Sequence, residues 1–66
     1  MSNAINPVKT ACESHGTEML KECLAIFEKK GIMNLTQDEF TVQGTMLEVL
    51  CDRGHAKWAD AYVERS

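Results

Sequence analysis

The chain has 66 residues and a net charge of −3; 44% of it is apolar and 26% charged. This balance excludes general disorder, no apolar run approaches the ~20 residues that span a bilayer, and the length allows one small domain, 1–66. The excess of acid argues against a surface built on phosphate contacts, which draws its affinity from Lys and Arg.

The start, Met1-Ser2-Asn3-Ala4, lacks the positive and apolar segments of a secretory signal. Three cysteines is an odd count with no framework spacing. A reducing, cytoplasmic setting with free thiols is therefore expected. Residues 1–6 are expected to be a flexible N-terminus.

The first helix is predicted from Pro7 to Lys30. Asn6 can cap it and Pro7 is preorganised for its first position. Lys29-Lys30-Gly31 is a stop signal. At ~100° per residue, Val8, Cys12, Met19, Leu20, Cys23, Leu24, Ile26 and Phe27 share an arc of roughly 160°. Gly16 is the weak point, because a Gly inside a helix costs about 1 kcal/mol relative to Ala. A continuous or kinked helix is expected. The alternative is a stop in Ser14-His15-Gly16 and a new start capped at Thr17.

Thr36 and Glu39 read as a capping box opening a second helix, with Leu35 placed to staple onto Phe40. Phe40, Gln43, Gly44, Met46, Leu47, Leu50 and Cys51 share one face, and Val42 and Val49 widen it to about 200°. One partner helix cannot cover so wide a stripe; a third helix or a second subunit is implied. Arg53-Gly54 ends the helix. A short last helix follows from a cap at His55 to Ser66, with Trp58, Ala59, Tyr62 and Val63 on one side. The expected fold is all-α: an antiparallel helical hairpin with a short third C-terminal helix, completed by homodimerisation.

Cys12, His15, Cys51 and His55 are the residues whose pattern points to chemistry. In an antiparallel hairpin Cys12 and His55 each lie about 27 Å from the turn, and His15 and Cys51 lie at about 22 and 21 Å. The i, i+3 and i, i+4 spacings put each pair on one helical face. A Cys₂His₂ set would suit a structural zinc, and a metal staple would suit so short a chain. Against zinc, ligands of this kind usually sit on tight turns. Cys is also a common small core residue, and all three cysteines fall on apolar faces. The leading expectation is therefore no cofactor, with Cys12 and Cys51 as core neighbours. Nucleophilic catalysis needs a thiol and a base in a concave pocket, and a helical hairpin of this size is expected to form none.

Leu35-Thr36-Gln37-Asp38-Glu39-Phe40 followed by Gly44 resembles the start of a helix-turn-helix DNA-binding unit over about ten residues. The resemblance implies that Met46-Leu47-Glu48-Val49-Leu50-Cys51-Asp52 would enter the major groove. That segment is apolar and acidic. Between Gly31 and Asp52 there is no Lys or Arg, while Asp38, Glu39, Glu48 and Asp52 are present. A basic partner surface suits this charge better than DNA.

The expected function is a non-enzymatic protein-interaction module, a regulator, inhibitor or adaptor that binds another protein. Phe27, Phe40, Met19 and Met46 are expected in the core. Trp58 and Tyr62 are the expected partner-binding residues, because such aromatics dominate binding hot spots. Val49 joins them from the wide stripe. Met33, beside Ile32 near the turn, adds a second patch.

Overall fold

The structure, a computed structural model, describes residues 7–65. The expected flexible N-terminus 1–6, the Asn6 cap and the helix end at Ser66 lie outside them. The described residues form α1 (Pro7–Glu13), α2 (Thr17–Lys30), a 3₁₀ turn (Ile32–Asn34), α3 (Gln37–Asp52) and α4 (Ala56–Arg65). Among them no strand is present, and no helix is long and apolar enough to cross a membrane.

The expected continuous helix from Pro7 to Lys30 is broken. Ser14 is the first cause: its Oγ donates to the Ala11 carbonyl at 2.6 Å. Its N–H is shared between the carbonyls of Thr10 and Ala11, both at 3.2 Å. Ser competes with the helix for its own backbone groups. Gly16 then turns extended, at φ −72° and ψ 157°, and takes the N-cap position of α2. Its carbonyl accepts from the Leu20 N–H at 3.1 Å. The new helix thus starts at Thr17, with Gly16 rather than Thr17 as its cap.

The other helix ends follow local chemistry. At Gly31, φ is 95°, a value that disfavours any side chain; its N–H reaches the Phe27 carbonyl at 3.0 Å. Thr36 Oγ1 accepts from the Glu39 N–H at 3.1 Å, while the Thr36 N–H donates to Glu39 Oε1 at 2.9 Å, so the capping box forms. At the far end of α3, Gly54 N–H donates to Cys51 and His55 N–H to Leu50, at 3.0 and 2.9 Å. That pair of bonds is a Schellman stop. His55 then precedes α4, and its carbonyl accepts from Ala59 at 3.1 Å.

Helices α1, α2 and α4 all pack on α3. The core joins Cys12 of α1, Leu20 and Leu24 of α2, Met46, Val49 and Leu50 of α3, and Tyr62 of α4. Burying a Leu- or Val-sized side chain stabilises by roughly 1.5–3 kcal/mol. The wide stripe of α3 is largely covered from within the chain: Val42, Gln43, Met46, Leu47, Val49 and Leu50 are buried or half-buried. Phe40, Gly44 and Cys51 remain exposed.

Several expected inward positions therefore turn outward. Met19, Ile26 and Phe40 are exposed, and Cys51 is exposed while Cys12 is buried. For Phe40 and Cys51 the reason is geometric: three neighbours gather on one side of α3 and leave the edge of its arc open.

Candidate interaction groove

Phe40, Gly44 and Leu47 stand at i, i+4 and i+7 on α3, and so form one stripe about 10 Å long. Val63 of α4 faces this stripe, and Ile32 of the 3₁₀ turn closes one end. Together they line an open groove of about 570 Å³. Its apolar walls are not shielded: Phe40 is 50% exposed, Val63 58% and Ile32 41%. Met33 is 91% exposed in the same turn as Ile32. Such exposed apolar side chains around one groove make it the candidate interaction surface.

The largely apolar lining includes one polar pair, and that pair is satisfied. Tyr62 donates its hydroxyl to Gln43 Oε1 at 2.7 Å, and both residues are buried. The lining therefore holds no carboxylate, imidazole or thiol.

A second cavity, about 440 Å³, opens between α1, α2 and α3. Cys12, Cys23, His15 and Phe27 are among its walls. Burial pushes the Cys12 thiol up, and the neighbouring Cys23 and Glu13 add to the effect. This direction disfavours the thiolate, the form in which cysteine is nucleophilic.

The four residues with ligand spacing do not come together. Cys12 is buried, His15 and Cys51 are exposed, and His55 is half-buried in the link before α4. Among the described residues, no three His, Cys, Asp or Glu side chains form a group that could hold a metal ion.

The expected partner-binding residues divide. Val49 and Tyr62 are core residues, 2% and 1% exposed, and Tyr62 also lines the groove. Val49 packs where α3 meets its neighbours; Tyr62 is drawn inward by its bond to Gln43. Trp58 is half-buried. Its ring stacks on Tyr62 with centroids 5.8 Å apart, and Lys21 Nζ lies 5.4 Å from its centroid. It thereby ties α4 to α2. Met33 is exposed as expected. Phe40 and Val63 are the residues the sequence reading missed. Their signal was present in the spacing of Phe40, Gly44 and Leu47, with an unexplained Gly at mid-helix.

Arg53 is a second omission. Its guanidinium donates to the Glu13 carbonyl at 3.0 Å and to Thr17 Oγ1 at 3.2 Å. It bridges the end of α1 and the start of α2. No family model, curated protein or solved structure matches the chain.

Proposed function

We propose that the chain acts as a small non-enzymatic interaction module, a regulator, inhibitor or adaptor that binds another protein through the α3/α4 groove. One observation carries this reading: Phe40, Val63 and Ile32 stay exposed around a groove while residues as small as Ala59 are buried. A short chain has little apolar surface to spare for its own core. Leaving three large apolar side chains in water at one place suits a surface completed by a partner.

The test compares proteins captured from native lysate by immobilised wild type, Phe40→Asp and Ile26→Asp. Ile26 is 64% exposed on α2 and lines neither cavity. At least one protein should bind wild type and Ile26→Asp but not Phe40→Asp, with helicity equal in all three. Identical capture by wild type and Phe40→Asp would refute the groove as the binding surface.

A further inference from the structure

We propose that the α3/α4 groove takes one amphipathic α-helix of a basic protein, with its apolar side over Gly44 and its Lys or Arg side chains over the carboxylates of the rims. The proposal rests on the protein-interaction reading above and names the partner's chemistry.

Gly44 is the first argument. It lies inside α3, where Gly is about 1 kcal/mol less favourable than Ala. A Cβ built at Gly44 would meet nothing within 4 Å. Among the described residues, nothing therefore requires the absence of a side chain there. The missing Cβ lowers the groove floor midway between Phe40 and Leu47. A second helix can then approach α3 at or below the usual 8–10 Å between axes. The stripe Phe40, Gly44 and Leu47 has the length and period that match i, i+3, i+4, i+7 anchors on a docked helix.

Charge is the second argument. At about 100° per residue, Glu48 and Asp52 run along the outer side of the stripe on α3. Their side chains are 59% and 62% exposed. Lys9 bridges the two at 3.2 and 3.7 Å and leaves that rim negative. Across the groove, exposed Asp60 lies one turn before Val63 on α4. No Lys or Arg occurs within α3 itself. A second copy of this chain would set α3 and its acids against the same acids, whereas a basic helix finds an apolar floor between negative rims.

The test uses the full chain and a labelled Leu/Lys amphipathic peptide of about five helical turns, with the same peptide carrying Glu for Lys as control. Fluorescence anisotropy should show saturable binding of the Lys peptide, at least about tenfold tighter than the Glu peptide. Added salt should weaken it. Gly44→Leu fills the floor and Phe40→Asp charges the wall; each should weaken binding about tenfold or more. Ile26→Asp should change nothing. Gly44→Leu should melt no lower than wild type, since its site is open.

Equal binding of both peptides, or binding untouched by Gly44→Leu, overturns the basic-helix proposal. So does sedimentation in which wild type is a dimer and Gly44→Leu a monomer, because the occupant is then a second copy. A lysate partner lost in Phe40→Asp together with no Lys-peptide binding leaves the interaction reading standing and removes only the basic helix. Loss of neither removes both.

Discussion

Tyr62 and Gln43, 19 residues apart, share a buried hydrogen bond of 2.7 Å that ties α4 to α3 beneath the groove. Both residues are buried, and among the described residues no buried side-chain polar atom lacks a partner. Tyr62→Phe keeps the ring and strands Gln43 Oε1. The expected cost is about 1–3 kcal/mol, the penalty of an unsatisfied buried acceptor. For a domain this size each kcal/mol lowers Tm by about 4–8 °C. Adding Gln43→Leu should recover part of the loss, because the orphaned acceptor goes with it. Thermal melting of the two single variants and the double variant measures the coupling.

Arg53 holds the break between α1 and α2 from the far end of α3. Arg53→Met keeps most of the apolar stem and removes both bonds. Global stability should fall by about 1 kcal/mol, below the full value of charged hydrogen bonds because Arg53 is half-exposed. The loss should be local: amide exchange in α1 should speed up well before α3 responds. Uniform acceleration across all four helices would show that α1 is not a separately anchored unit.

The helix ends were legible in the sequence because caps are local chemistry. Thr36 with Glu39, Gly31 and Gly54 each act on backbone groups within a turn of themselves. The break at Gly16 was ambiguous for a physical reason. A cost of about 1 kcal/mol is small enough for packing to override, and Ser14 together with Arg53, 39 residues away, decided it. The faces were harder still. A wheel assigns an arc to α3, but not which part of that arc its neighbours will cover. Phe40 and Tyr62 exchanged their expected places for that reason: Tyr62 found a distant acceptor in Gln43, and Phe40 fell at the uncovered edge.

Gly44→Ala isolates what the mid-helix glycine does for stability alone. The site is helical and open around the added carbon. Alanine should stabilise by about 0.5–1 kcal/mol, through helix propensity and a less flexible unfolded chain. A rise in Tm confirms that Gly44 is a cost inside the chain. A fall would mean that the backbone of α3 is strained there.

Acid should loosen the start of α3. Lys30 holds the Glu39 carboxyl below its usual 4.5, and the Thr36 N–H adds to the effect. Lys30 Nζ lies 2.8 Å from both carboxylate oxygens. Arg65 lowers Glu28 in the same direction. A carboxyl depressed on folding contributes stability that is present above its unfolded pKa and lost as pH falls through its folded one. Tm should therefore fall as pH drops below about 4.5. Glu39→Gln should show a shallower fall than wild type, since Gln keeps an acceptor for the Thr36 N–H but has no proton to gain. An unchanged slope would assign the acid loss to other carboxylates.

The three free cysteines report the same packing in a different currency. Thiolate is the reactive form, so exposure and pKa act together. Cys51 is exposed, Cys23 is half-buried, and Cys12 is buried with its thiol pushed up. A thiol reagent at about pH 8 should therefore label Cys51 first, Cys23 more slowly, and Cys12 only as the fold opens. Peptide mapping by mass spectrometry resolves the order, and denaturant should make all three equivalent. Cys12 lies on α1, so Arg53→Met should raise its labelling rate while leaving Cys51 unchanged. That selectivity follows from local detachment of α1; equal acceleration at both sites would instead mean that the variant opens the whole domain. Labelling of Cys12 as fast as Cys51 in wild type would contradict the packing of α1 against α3.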